Sequence, residues 1–350
     1  MTIRVGVLGL THDHIWSNLE NLAKVEGAEI VAAAEPHAPL RERFAQRYGR
    51  PTYDRYDALL ETERDLQALF LFGDNRWSAH WGAIAAARGL HVMLEKPMAA
   101  DLAGADELFR AAARARTHLM INWPHNWNPK LRHAYALARN GAVGDVFKLR
   151  YSGGHAGPRE IGCSPIFCDW LYDAHLNGAG ALVDQGGYGA TVCRWFLGRP
   201  TRVMAMGGRL TKDADSDVDN VVMLLRYDRA IAVSETSWSW VGGQPSAGPV
   251  VYGTEGTLYT LGARDAAGVG IVRKGDREPA MLDAPAIPLG DRNAPEYFIS
   301  RIRADRPIEG MVSAHVSRDA QEILECARVS IATGREVAFP YDAALPGIGA

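Results

Sequence analysis

Glu95-Lys96-Pro97 follows the apolar run Gly89-Leu90-His91-Val92-Met93-Leu94 and sets one lysine at the carboxyl end of a predicted parallel strand. Open α/β sheets bind ligands at that end. The proline confines Lys96 to extended geometry and removes a backbone donor, so the strand exit is a stiff bend that holds an ammonium in place. A fixed ammonium can do chemistry. A second constellation stands near the start of the chain. Gly9 closes the first strand and His12-Asp13-His14 opens the first helix, where free amides and a helix N-terminus receive a pyrophosphate. With Gly9 as the first glycine of a dinucleotide fingerprint, Thr11 and His14 occupy the other two glycine positions, so the fingerprint is incomplete and the Thr11 side chain crowds the phosphates. Glu35, at the end of the second strand, stands where an acid accepts hydrogen bonds from the adenosine ribose and repels a 2′-phosphate, which favours NAD over NADP. Its plain alternative is a solvated residue before Pro36.

The pair His12 and His14 also suits a divalent metal in a barrel-type hydrolase, but that site needs more His and Asp ligands on later strands. Of His80, His91, His118 and His155, only His91 and His118 fall in strand-like runs, and each begins its run. No metal is therefore expected. Cys163, Cys168, Cys193 and Cys326 form neither a CxxC pair nor a zinc-ribbon spacing and read as reduced thiols.

The elements that must position these residues alternate strictly. Ile3–Leu8, Glu29–Ala34, Ala68–Phe72, His91–Leu94 and His118–Ile121 read as strands; Ile15–Val25, Leu40–Tyr48, Trp77–Arg88 and Leu102–Ala115 read as helices. The succession predicts an α/β chain whose N-terminal part, residues 1–122, is a Rossmann doubly wound parallel sheet. Trp123-Pro124 and Asn128-Pro129 break the pattern, and a second α/β domain, 123–350, is expected beyond them. There the alternating runs Arg202–Gly208, Asn220–Tyr227 and Ala230–Ser237 predict a large open, mainly antiparallel sheet. One helix is expected over Ala181–Leu197 and a last one over Ala314–Thr333. Gly242–Pro249 and Gly262–Asp291 read as loops.

Composition narrows the function classes. Of 350 residues, 47% are hydrophobic and 23% charged, and the net charge of −3 gives no basic stripe for nucleic acid. Met1 to Leu10 runs straight into a strand pattern without a basic leader, and no apolar run reaches bilayer length, so a cytoplasmic protein with no membrane partner is expected.

Taken together, Val5-Gly6-Val7-Leu8-Gly9, Glu35-Pro36, Asn75 with His80, Glu95-Lys96-Pro97 and the run 178–188 that ends in Asp184-Gln185-Gly186-Gly187-Tyr188 resemble the glucose-fructose oxidoreductase/inositol dehydrogenase (Gfo/Idh/MocA) family. Gly141–Val146 and Ser330–Arg335 agree as well. The resemblance implies NAD(P)-linked oxidation or reduction of sugars, cyclitols or related polyols, and a homodimer or homotetramer built on the open sheet. It maps the catalytic positions onto Lys96, Asp184 and Tyr188. It places Gly9, Thr11, His12, His14, Glu35, Asn75, His80, Glu95 and Lys96 on the cofactor side. Many members carry histidine at the position of Tyr188, and some sugar dehydrogenases carry tyrosine. Three stretches depart from the pattern: Thr11 in the glycine loop, Gly73-Asp74 in place of Thr-Pro, and Pro124-His125-Asn126 in place of an arginine-containing segment.

Asp184 and Tyr188 are four apart and share one face of the predicted helix. Removing hydride from a carbinol carbon requires the hydroxyl proton to leave, and a free phenol, with a pKa of about 10, is a poor base at neutral pH. The Lys96 ammonium would favour the phenolate and stabilise the oxyanion, while Asp184 would orient a neighbouring substrate hydroxyl or keep Lys96 charged. The expected scheme has Tyr188 as acid/base, Lys96 as its electrostatic partner and Asp184 as the positioning carboxylate; a core tyrosine is the plain alternative. His155, Asp169, Trp170 and Asp173 precede the catalytic helix and are expected to contact substrate, although Trp170 also suits a core and the acids suit helix caps. His80 suits either the nicotinamide or the surface. Two other classes fit the same residues: a redox-cycling lyase or glycosidase that keeps its NAD bound, and a non-catalytic sensor of dinucleotide or sugar.

Overall fold

The computed structural model describes residues 2–212, 217–242, 248–260 and 268–341. The first stretch runs β1 (Ile3–Leu8), α1 (Ile15–Leu22), β2 (Ala28–Ala34), α2 (Ala38–Tyr48), β3 (Thr52–Tyr53), α3 (Tyr56–Thr62), β4 (Ala68–Leu71), α4 (Asn75–Ala87), β5 (His91–Glu95), α5 (Leu102–Ala115) and β6 (Leu119–Asn122). These strands are apolar on both faces, with Ile3, Val5, Val7, Leu69, Phe70, Met93 and Leu94 buried, as parallel strands between helix layers require. They pair in parallel in the order β3-β2-β1-β4-β5-β6. The order reverses between β1 and β4, so a crevice opens at the carboxyl ends of these strands. Gly9, just past β1, has φ +83°, and a Cβ there would come within 2.5 Å of the Gly73 nitrogen past β4. The two turns meet because residue 9 has no side chain. Asp74 and Asp101 cap α4 and α5 by accepting the amides of Trp77 and Gly104, each at 2.9 Å.

At the start of β5, His91 Nδ1 accepts the His118 amide at 3.0 Å, an arrangement open only to the neutral ring. Burial, with His118 beside it, pushes the His91 imidazole down to about 4. Between about 6.5 and about 4 the unfolded chain therefore takes up a proton that the folded chain refuses, and stability falls as pH falls through that window. Urea midpoints should drop between neutral pH and pH of about 4, and His91→Gln should reduce that slope by up to one proton. An unchanged slope in the variant would show that His91 does not carry it.

Past β6 a 3-10 turn (Pro124–Trp127) leads into α6 (Pro129–Arg139), β7 (Val146–Gly154), α7 (Pro165–Leu171), α8 (Ala174–Asn177), α9 (Gly180–Asp184) and α10 (Gly186–Leu197). Then come β8 (Arg202–Gly208), β9 (Asn220–Arg226), β10 (Ile231–Ser237), β11 (Gly248–Gly253), β12 (Gly256–Tyr259), β13 (Val269–Arg273), β14 (Ala280–Leu282), α11 (Ala294–Ala304), α12 (Ala314–Thr333) and β15 (Val337–Ala338). The second sheet has the order β14-β13-β12-β11-β7-β10-β9-β8-β15; it is antiparallel except for the parallel pair β7 and β10. Strand β9 buries Val221, Met223 and Leu225 and exposes Val222 and Leu224, so the outer face of this sheet is apolar too.

Two readings from sequence change. The single helix expected over 181–197 is interrupted at Gln185 between α9 and α10. The loop expected over Gly262–Asp291 contains β13 and β14, and the loop expected over Gly242–Pro249 runs into β11; residues 243–247 and 261–267 of those loops lie outside the described residues. The chain clusters into two compact units, each discontinuous. The first comprises the chain up to Pro124 with Cys163–Gly178 and Pro288–Arg318; the second comprises His125–Gly162, Ala179–Ile287 and the chain from Asp319. Segments 163–178 and 288–318, which the sequence reading puts in the second domain, thus cluster with the parallel sheet.

Candidate active site

In the first unit, Glu95 ends β5, Lys96 follows it, and both are buried. The Glu95 carboxylate is held on both oxygens, by Asn122 Nδ2 at 2.7 Å and by His14 Nδ1 at 3.0 Å. Asn122 is the residue paired with Glu95 across β5 and β6. His12 is buried, and its Nδ1 accepts the His14 amide at 3.2 Å, which leaves the ring proton on Nε2. Burial, then His14, then Lys96 hold the His12 pKa well below its ordinary value, so this imidazole is neutral. His12, His14 and Glu95 each bring a possible ligand atom within 4.8 Å of the others.

The glycine loop spends several amides internally. Leu10 N donates to Glu35 Oε2 at 2.7 Å and His12 N to the Phe72 carbonyl at 2.9 Å. Glu35 is fully buried, and its Oε1 also accepts His37 N at 2.9 Å and His37 Nδ1 at 2.5 Å. Of the roughly four lone-pair positions of a carboxylate, three are filled.

Segment 163–178 lies on this loop. Ser164 N donates to Asp13 Oδ2 at 2.8 Å, Arg76 Nε to the His175 carbonyl at 2.6 Å, and Asn75 Nδ2 to Asn177 Oδ1 at 2.9 Å and its carbonyl at 3.0 Å. The Phe167 ring sits 4.4 Å from that of His12. Asp173 caps α8 through the amides of His175 at 2.7 Å and Leu176 at 3.2 Å, and Trp170 is buried. Asp169, Trp170 and Asp173, expected at the substrate, line with Thr11 and Glu35 a cavity of about 440 Å³. Its walls include the ends of β1 and β2 and Asp74 before α4, the region where the parallel sheet receives an adenosine; in that respect the residues present fit a dinucleotide. His80 lies exposed on α4 between Trp77 and Trp81.

In the second unit, Asp184 Oδ2 accepts Trp238 Nε1 at 2.8 Å and Gln185 Nε2 at 3.0 Å, with His155 Nε2 at 4.0 Å. Tyr188 is buried, and its ring lies over that of His125 with centroids 4.2 Å apart and planes 34° apart. His125 Nδ1 is 3.3 Å from the Tyr151 hydroxyl, and Tyr151, whose pKa burial drives far up, stays a phenol. Gly189 lets α10 lie close on β10: a Cβ there would stand 1.9 Å from Ser234 Oγ.

Residues 3–123 match the model of the oxidoreductase family with an NAD-binding Rossmann fold, and residues 131–259 match the GFO/IDH/MocA C-terminal domain. The chain belongs to the GFO/IDH/MocA family. Among curated relatives of this family, a dTDP-3,4-didehydro-2,6-dideoxy-alpha-D-glucose 3-reductase from Actinomadura kijaniata is 30% identical over 219 residues, covering 62% of each chain. One of the same description from Saccharopolyspora spinosa is 27% identical over 319 residues, covering 88% of this chain and 90% of its own. The chain thus spans less than two thirds of the first of these and nearly all of the second. Among solved structures, the WlbA dehydrogenase from Bordetella pertussis in complex with NADH and UDP-GlcNAcA has the same fold, with a TM-score of 0.79 at 18% identity, covering 98% of this chain and 100% of its own.

Asn122, His125 and Trp238 were not singled out from sequence as site residues. Asn122 carried a signal, its place at the end of a strand beside Glu95. His125 carried one as well, the departure at Pro124-His125-Asn126, but with no role attached to it. Trp238 reaches Asp184 across 54 residues, and no local pattern marks it.

Proposed function

We propose that this member of the family is an NAD-dependent oxidoreductase that moves hydride to or from a carbinol carbon of a sugar, cyclitol or related polyol. The observation that carries the reading is Lys96, a buried lysine directly past β5 in a Rossmann sheet whose family binds NAD. Bound nicotinamide supplies or accepts the hydride. The chain's own groups do the rest. Tyr188 takes the hydroxyl proton in oxidation and returns it in reduction, Lys96 stabilises the oxygen on which negative charge develops, and Asp184 orients a neighbouring hydroxyl. Asp184 suits that role because Trp238 and Gln185 fix its carboxylate.

Four carboxylates, of Glu35, Asp74, Asp169 and Asp173, line the nucleotide cavity, and no lysine or arginine is among its described walls. That charge supports NAD over NADP, since a 2′-phosphate would meet these carboxylates. The names of the relatives, sugar reductases and dehydrogenases, support a sugar-type substrate, nucleotide-linked sugars included. The outer face of the second sheet, with Met206 74% and Leu224 44% exposed, suits a second copy of the chain, giving a homodimer or homotetramer. Sedimentation as a monomer would remove that part.

The test is a screen of sugars, cyclitols and nucleotide sugars with NAD, following absorbance of released NADH. Net accumulation with one of them is the expected result. Product without accumulation would instead mean that the nicotinamide is recycled within each turnover, and binding without product would leave a sensor.

A further inference from the structure

We propose, resting on the acid/base reading of Tyr188 above, that His125 is a positioning residue for the Tyr188 proton: its imidazolium, stacked on the ring, holds the phenolate that takes the substrate proton, and then sheds its own proton to water. Tyr188 is buried, whereas His125 is exposed on the 3-10 turn past β6. The centroids of the two rings are 4.2 Å apart. A phenol with a pKa of about 10 must lose a proton to become a base, and at pH of about 7 only about one in a thousand has done so. An imidazole in contact changes that count. Moving the phenol proton onto a ring with a pKa of about 6.5 leaves the pair with no net change of charge, so the share of phenolate beside imidazolium stays level as pH falls toward about 6.5. Attraction between the two charges at this separation favours that state by a factor on the order of 100 at an effective dielectric constant of about 20. The pair therefore supplies more base at neutral pH than a tyrosine alone.

The groups packed against His125 leave its charge to Tyr188. Its Nδ1 is 3.3 Å from the hydroxyl of Tyr151 on β7, and a hydroxyl can accept from the imidazolium or donate to the neutral ring, so this contact suits both states. Burial drives the Tyr151 pKa far up, and it pushes the nearby Cys193 thiol of α10 up to about 12, so both are uncharged at neutral pH. From α6, Arg132 is turned to the Asn126 carbonyl at 2.8 Å and to the Trp127 ring. In oxidation the substrate hydroxyl proton passes to Tyr188 Oη as hydride leaves the carbon for the nicotinamide, and His125 gives its proton to water. One proton is released for each NADH, and reduction runs the same steps backwards.

Oxidation of D-glucose, D-xylose and myo-inositol with NAD by the full chain, followed from pH of about 6.5 to about 9, tests the assignment in wild type and His125→Phe. Phenylalanine keeps a ring on Tyr188 and removes the proton carrier. Wild-type turnover should be level between pH of about 7 and about 8, whereas the variant should rise about tenfold for each unit of pH, starting at least tenfold below wild type and coming within a few-fold of it near pH of about 9. His125→Gln, which keeps a polar partner for Tyr151, should give the same bent profile and serves if the phenylalanine variant does not fold. Profiles parallel to wild type overturn the His125 assignment and leave the Tyr188 reading standing, because lost packing lowers turnover without bending its pH dependence. No NADH from wild type with any of the three removes both. Adding His125→Phe to Tyr188→Phe should lower turnover no further, since His125 acts through Tyr188; a further fall of about tenfold would also overturn the assignment.

Discussion

Replacing Lys96 with methionine is expected to lower turnover by a factor on the order of 10³ while leaving NAD affinity within a few-fold of wild type. The side chain is buried, and methionine fills nearly the same length without charge, so packing at the end of β5 survives the change. What goes is the cation. The oxygen that gains negative charge during hydride transfer loses its stabilisation, and the barrier rises by about 3–4 kcal/mol if the charge is met in a water-poor setting. Stopped-flow turnover beside a direct NAD titration separates this outcome from simple loss of cofactor. Wild-type turnover in the variant would end the scheme built on Lys96. A matched fall in NAD affinity would mean that the lysine holds cofactor and does no more.

Tyr188→Phe should reduce turnover between about 10² and 10⁴ fold with a small change in KM, the range associated with loss of a positioned acid or base. The phenyl ring can keep its stack on His125, and the hydrogen bond between Tyr151 and His125 does not involve residue 188. A melting curve like that of wild type should therefore accompany the loss. The same variant should flatten the limb of the turnover profile that depends on the acid/base group. If turnover stays within a few-fold of wild type, Tyr188 is a core residue beside His125 and another group moves the proton.

The parallel sheet was legible in the sequence because its signal is local. Apolar runs of strand length alternate with helical periods from Ile3 to Ile121, and Lys96 falls at a strand end by that count alone. The final helix was read as Ala314–Thr333, and the structure has the same bounds. Two short elements, β3 and α3, passed unread because two residues of strand and seven of helix leave too little periodicity to detect. Strands β13 and β14 were hidden by glycine, proline and charge, which mark loops in most contexts but here flank short strands at one side of the sheet. The interruption at Gln185 was hidden for the opposite reason, since glutamine is a good helix former and its backbone remains in the helical region. The docking of segment 163–178 could not be read at all. It rests on hydrogen bonds spanning 151 residues to Asp13 and 102 to Asn75, and neither partner announces the other. That docking is what carries Asp169, Trp170 and Asp173 to the wall shared with Glu35.

The nucleotide-binding half is assembled from three stretches of chain that are far apart in sequence, ending near Arg318. During synthesis the ribosome would thus have to deliver most of the polypeptide before that half is whole. A fragment cut after Pro124 would lack the asparagine that Asn75 holds and the amide that Asp13 accepts. Excising this half as an independent module, or grafting it onto another protein, would take a rewired chain order that brings the two distant stretches along.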